Sequence, residues 1–155
     1  MLRVGLISDT HGLMRPEALA VLKGVELILH AGDVGARSVI DALEDIAPVH
    51  AVRGNMDDLL LGLPDKQQLS LDGVSVLVTH GHELGSPTPD ALVRRYRSQV
   101  IVYGHTHKPL ILRVGSTLVV NPGAAGPKRF NLRPSAALLT IDNHEPEVEL
   151  IPLRP

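Results

Sequence analysis

The stretch Val100 to His107 reads Val-Ile-Val-Tyr-Gly-His-Thr-His, an apolar run that ends in a glycine and two histidines. Imidazoles two residues apart on a locally extended backbone point the same way, so His105 and His107 are candidates for one metal centre. The same design occurs four more times, in Asp9-Thr10-His11-Gly12, Gly32-Asp33, Gly54-Asn55 and Thr79-His80-Gly81, each after a strand-like run. Together these ends supply Asp9, His11, Asp33, Asn55, His80, His105 and His107. Imidazole and carboxylate without thiolate suit manganese, iron, zinc, cobalt or nickel rather than calcium. A carboxylate can bridge two ions, and two four-ligand sites sharing one residue require seven ligands, the number present. Two ions about 3.5–4 Å apart clamp the attacking and leaving oxygens of a phosphoryl transfer.

The elements that must position these residues follow from periodicity. Strands are expected at Leu2 to Ile7, Glu26 to Leu29, Val49 to Val52, Val74 to Thr79 and Val100 to Tyr103. Runs of this kind, apolar at successive positions, fit strands covered on both faces. Helices are expected from Pro16 to Leu22, from a cap at Ser38 through Asp45 (Val39, Ala42, Leu43 and Ile46 on one face), and from Thr88 to Arg97 with Pro89 in its first turn. Asp72-Gly73 between Gln67–Leu71 and Val74–Thr79 signals a hairpin. Further strands follow at Leu110 to Val114, Thr117 to Val120, Ala136 to Ile141 and Glu147 to Ile151, with turns at Gly115-Ser116 and Asp142-Asn143. The first half alternates strand and helix and reads as mainly parallel; the second is strand-rich with tight turns and reads as antiparallel. In α/β sheets sites form at the carboxyl ends of strands, so five ends at one rim would gather the seven side chains. Leu59 to Leu63 reads as a loop tucked on the body in preference to a subunit contact.

Composition bounds the function classes. The 155 residues are one domain's worth, 44% apolar, with 2% aromatics, so the core must be aliphatic. The formal net charge is −2 and there is no Lys/Arg-rich run, which argues against an extended nucleic-acid surface but leaves a small phosphate substrate open. The absence of cysteine removes disulfides and thiolate metal sites. No signal-peptide pattern opens the chain and no apolar run reaches the ~18 residues of a membrane span, so the expectation is a cytoplasmic protein without a membrane partner. No Gly-x-Gly-x-x-Gly or Walker pattern supports a nucleotide-binding regulatory domain.

The ordered set Asp-x-His, Gly-Asp, Gly-Asn, His-Gly and Gly-His-x-His, continued by Val120-Asn121-Pro122-Gly123, resembles the calcineurin-like metallophosphoesterases, in particular their small bacterial and archaeal phosphodiesterase branch. The resemblance implies an α/β fold of two mixed β-sheets sandwiched between helices, in four layers. It implies two divalent ions, manganese foremost, with Asp9, His11, Asp33 and His107 on one and Asp33, Asn55, His80 and His105 on the other. Asp33 is then the bridge, and a water or hydroxide between the metals is the nucleophile. It also allows a homo-oligomer.

Several residues stand beside this set. In several relatives an arginine at the position of Arg53 contacts phosphate, and a guanidinium suits that bidentate contact; an ordinary surface arginine is the competing reading. Met56 stands where the phosphoprotein phosphatases of the superfamily carry a proton-donating histidine, which favours phosphodiester over phosphomonoester substrates. His82 is a candidate proton donor to the leaving group or a neighbour of the ligands, against a reading as a rim histidine without a role. Asp57 reads as orienting its loop or merely capping it, His30 as bracing the site. His50 and His144 read as surface residues. Gly123 to Gly126 with Lys128 and Arg129 reads equally as an anion-friendly loop or a plain turn. A second resemblance, to the small retromer subunit, offers a rival function: a protein-binding scaffold of the same fold. Nothing in the chain selects a particular substrate, and so few aromatics leave little room for base stacking.

Overall fold

The computed structural model describes residues 1–129 and 131–154. Its strands are β1 (Leu2–Ile7), β2 (Leu27–His30), β3 (Val49–Ala51), β4 (Lys66–Leu71), β5 (Val74–Thr79), β6 (Val100–Val102), β7 (Leu110–Val114), β8 (Thr117–Asn121), β9 (Ser135–Asp142) and β10 (Glu145–Pro152). Three helices accompany them, α1 (Pro16–Leu22), α2 (Arg37–Glu44) and α3 (Pro89–Arg95). The strands form two five-stranded sheets, ordered β10-β9-β1-β2-β3 and β4-β5-β6-β8-β7. In the first, β1, β2 and β3 run parallel and β9 and β10 antiparallel.

The antiparallel expectation for the second half of the chain holds for β7–β8, β9–β10 and β1–β9 and fails at β8, which runs parallel to β6. In the second sheet β5, β6 and β8 are parallel and the edge strands β4 and β7 antiparallel. The reason is the order of the strands: the chain leaves β6 for the edge strand β7 and its hairpin then lays β8, reversed once more, between β7 and β6. The strand ends that carry the candidate ligands come from two sheets, three from the first and two from the second, rather than from the rim of a single one.

Alternation along the strands builds the layers. Val76 and Val78, Val100 and Val102, and Leu118 and Val120 face Val4, Leu6, Leu29, Leu139 and Ile141 of the first sheet. The intervening Leu77, Ile101 and Val119 face the other way, onto Leu92 of α3. Ala18 and Leu22 of α1 and Val39, Ile40 and Leu43 of α2 cover the outer face of the first sheet. A Cβ on Gly5 would collide with Leu22, so the glycine lets α1 settle on β1. Nearly continuous apolar strands thus result from burial on both faces. Among the described residues no helix is long and apolar enough to cross a membrane.

The local signals for α3 and the hairpin hold. Thr88 Oγ1 accepts from Ala91 N at 3.2 Å, with Pro89 opening the helix, and Asp72 and Gly73 take φ of 48° and 80°, as a two-residue hairpin turn needs. The cap at Ser38 does not form. Ala36 has the extended backbone of a cap, at φ −158°, so Ser38 is already inside α2. Leu59 to Leu63 is not tucked in either. Leu59–Leu61 is a short 3₁₀ turn whose Leu59 and Leu60 are 75% and 92% exposed, while Leu63 packs on the helix-side core.

Candidate metal centre

Each ligand loop begins where a buried strand ends. Asp9 and His11 follow β1, Asp33 follows β2, His80 follows β5, and His105 and His107 follow β6. Asp9, His11, Asp33, His105 and His107 all have positive φ, between 47° and 73°. This corrects the expectation of an extended backbone after β6. Left-handed residues are sparse among non-glycines, and here they swing His105 and His107 to different parts of the cluster. His107 Nε2 lies 3.4 Å from His11 Nε2, whereas the His105 ring stands edge-on to His80, centroids 5.1 Å apart.

Two groups of ligand atoms result, Asp9 with His11 and His107, and Asp9 with Asp33 and His80, each with all its atoms within 4.8 Å of one another. Two carboxylate oxygens lie between the imidazoles. Asp9 Oδ1 is 3.3 Å from His107 Nε2, 3.8 Å from His11 Nε2 and 3.9 Å from His80 Nε2. Asp33 Oδ2 is 3.3 Å from His80 Nε2 and 3.7 Å from His11 Nε2. The donor set fits divalent cations. Asp9 Oδ1 and His80 Nε2 are buried and form no hydrogen bond among the described residues, although buried polar atoms are ordinarily satisfied. His80 Nδ1 donates to Ala31 O at 2.8 Å, so in the neutral ring Nε2 turns its lone pair on the carboxylates.

The opposite oxygens of both carboxylates are tied to the backbone and to a hydroxyl. Asp9 Oδ2 accepts from Ser8 Oγ and His105 N, and Asp33 Oδ1 from Met56 N. Burial alone would raise both carboxyls. For Asp9 the contact with His107, the charge of His80 and the Ser8 hydroxyl outweigh it and hold the group below the usual carboxylate range. For Asp33, His80 and the Met56 N–H bring it down to about 2. Burial also pushes His11 and His105 down, whereas the two carboxylates raise His80 despite its burial.

Asn55 is exposed at the turn after β3. That turn is fixed by Asp57, which is 7% exposed. Its Oδ1 accepts from Gly35 N, and its Oδ2 accepts from Val34 N and Gly54 N, at 2.9–3.1 Å. Asp57 therefore joins the loop carrying Asp33 to the loop carrying Asn55, more than a local cap. A Cβ on Gly54 would collide with Asp33, which explains the glycine.

His30 braces the centre as expected. Its Nδ1 accepts from Gly32 N, so Nε2 carries the proton toward Thr10 Oγ1, whose hydroxyl donates to Val34 O. His82 is half-buried, with its ring 5.4 Å from His80 and 6.4 Å from His105, and its Nδ1 has no hydrogen-bond partner among the described residues. Arg53 is held by Asp65, Nε and Nη2 at 3.0 and 2.9 Å from one carboxylate oxygen. The loop after β8 is bolted to the first ligand loop by Ala125 N to Ser8 O and Gly126 N to Asp9 O; Lys128 and Arg129 are exposed beyond it. His50 hydrogen-bonds Gln67 across from β3 to β4, and His144 lies in the β9–β10 turn.

Sequence reasoning gave no supporting role to Ser8, Thr10 and Asn121, although Thr10 and Asn121 lie within its motifs. Asn121 Nδ2 donates to Gly104 O and Thr106 Oγ1, holding the Gly-His-Thr-His loop. Their signal was available: polar residues at the carboxyl ends of otherwise apolar strands.

Two parallel-centred sheets between helices, with carboxylates and imidazoles converging on their shared rim, define a metallophosphoesterase-like architecture. The chain belongs to the calcineurin-like phosphoesterase superfamily, whose domain model matches residues 2–144. It is 36% identical over 160 residues to a probable metallophosphoesterase of Methanocaldococcus jannaschii, covering 97% of this chain and 81% of that protein. A phosphodiesterase of Escherichia coli K12 is 32% identical over 157 residues, covering 84% of each. Among solved structures, Vps29 of Entamoeba histolytica complexed with zinc superposes with a TM-score of 0.78 at 25% identity, covering 97% of this chain and 99% of that one.

Proposed function

We propose that the chain is a metal-dependent phosphodiesterase working with two divalent ions, manganese foremost. The observation that carries this is the pair of ligand groups that share Asp9, with Asp33 Oδ2 of one group also 3.7 Å from His11 Nε2 of the other. Asp9, His11, Asp33 and His107 would hold one ion, and Asp33, Asn55, His80 and His105 the second. The metals would supply Lewis-acid stabilisation of the phosphoryl oxygens and lower the pKa of an attacking water.

The chain's own residues do the rest. Asp57 and His30 keep the ligand loops in register. Met56 has no proton to give at its position, which favours a diester whose leaving group departs readily over an alkyl monoester. His82, beside His80 and His105, is the group of this chain placed to protonate a leaving oxygen. Arg53 gives Nε and Nη2 to Asp65, and its remaining N–H groups are the candidate contact to a phosphate oxygen.

The test is to strip the protein with chelator and assay bis(p-nitrophenyl) phosphate and p-nitrophenyl phosphate with manganese(II) restored. Metal-dependent turnover favouring the diester, lost in Asp33→Asn, is expected. Preference for the monoester would overturn the diester assignment. No turnover with manganese, nickel, cobalt or zinc would overturn the hydrolase. The second reading, a protein-binding scaffold, is favoured by the exposed Met56, Leu59 and Leu60 beside the ligand loops. It would be left standing by that last result.

A further inference from the structure

A cleft of about 640 Å³ adjoins the metal centre at His105. Its wall combines Pro87, Pro109, Leu110 and Tyr103 with Thr106 and Lys108. No carboxylate lines it, and Lys108 is its one lysine or arginine. Its position is fixed from several sides. Lys108 N donates to Thr106 Oγ1 at 3.2 Å, and Thr106 Oγ1 in turn accepts from Asn121 at 3.1 Å. Gly81, between His80 and His82, packs so closely on Pro87 that a Cβ would lie 3.0 Å from it and 3.7 Å from Tyr103. The cleft is thus wedged between the loops that carry His80, His82 and His105.

Resting on the phosphodiesterase reading, we propose that this cleft receives the non-reacting arm of the substrate, and that this arm is a ring-bearing group with an anion at its far end. A phosphoryl group at the ligand cluster has the His105 side open to the cleft. The prolines, Leu110 and Tyr103 offer flat apolar walls that a ring can lie against at little entropic cost. Lys108, which lines the cleft and is exposed, gives it a compact positive charge. The centre therefore selects among phosphodiesters by the arm that stays behind, with Lys108 and Leu110 as specificity-determining residues.

The test compares methyl, phenyl and 4-carboxyphenyl esters of p-nitrophenyl phosphate on the manganese-loaded protein. The expected order of kcat/KM is methyl, then phenyl, then 4-carboxyphenyl, with about tenfold between methyl and phenyl, a step that corresponds to ~1.4 kcal/mol. Lys108→Ala should erase the carboxyphenyl-over-phenyl preference through KM, and Leu110→Thr the phenyl-over-methyl preference. Lys23→Ala, on the far side of the first sheet's helices, should leave both ratios unchanged. A readout without turnover accompanies this: titration with (4-carboxyphenyl)phenylphosphinate, whose two P–C bonds leave no ester to cleave, should show binding weakened several-fold by Lys108→Ala. Turnover of all three esters with flat ratios and Lys108-independent phosphinate binding would overturn the cleft assignment and leave the hydrolase standing. Lys108-dependent phosphinate binding with no turnover would uphold the cleft and overturn the hydrolase.

Discussion

Removing the Asp57 carboxylate should loosen the metal centre from a distance. Three backbone N–H groups, those of Val34, Gly35 and Gly54, donate to the Asp57 carboxylate in a largely buried setting. Asp57→Ala leaves all three without their partner. A buried donor stripped of its acceptor costs about 1–3 kcal/mol, and water entering at the exposed Asn55 side recovers part of this. A loss of about 3 kcal/mol follows, which for a chain of this size lowers Tm by roughly 10 °C. Because Val34 follows Asp33 and Gly54 precedes Asn55, the same change frees both ligand loops, and metal affinity should fall about 10–100-fold. Thermal unfolding by circular dichroism, with and without manganese, and a metal titration read both effects. Asp57→Asn keeps an acceptor oxygen and should fall between. If Asp57→Ala melts within ~2 °C of the parent and binds metal equally well, the claim that one carboxylate joins the two loops is wrong.

Other outcomes follow from the same geometry. Burial pushes His30 down to about 4, against 6.5 in an unfolded chain, so between those pH values the unfolded chain binds a proton that the folded one refuses. Stability then falls as pH drops through that window, by roughly 3 kcal/mol in total, and denaturant unfolding of His30→Gln should show a shallower pH slope than the parent. Gly54→Ala should destabilise the Asp33 loop and reduce metal affinity, since its Cβ meets the Asp33 carboxylate and backbone; a variant with parental metal affinity would count against that packing. Thr88→Ala removes the side-chain cap of α3 and should cost ~1 kcal/mol in urea unfolding, with metal affinity unchanged. Leu60→Ser, at an almost fully exposed position, should leave stability within about 0.5 kcal/mol.

Much of the fold was legible because its cues are local. Thr88 and Pro89 start α3, Asp72-Gly73 turns a hairpin, and apolar runs mark each strand. The direction of β8 beside β6 was not, since parallel pairing across a sheet depends on where crossovers place the chain rather than on either strand's residues. The candidate ligands stood out because carboxylates and imidazoles recur beside glycines at the ends of apolar runs. Their backbone did not. The expectation that His105 and His107 share an extended segment failed because both are left-handed, a conformation histidine adopts seldom and only when its surroundings impose it. Ser38 misled for the opposite reason: a good capping residue is not a cap when the helix begins one residue earlier.

Five of the seven candidate ligand positions also hold a backbone shape that suits glycine better than histidine or aspartate. The strain there is of order 1 kcal/mol per residue. Glycine would relieve it and remove the ligand; any other side chain would keep the strain and lose the ligand as well. A programme of thermostabilisation that scored substitutions by melting temperature alone would therefore drift toward glycine at the half-buried His11 and His105, though not at Asp9 and Asp33, whose oxygens accept buried hydrogen bonds, and would weaken metal binding as it succeeded. Screening libraries of this protein in the presence of limiting metal would reverse that drift, because bound ions favour the folded state only in variants that keep their ligands.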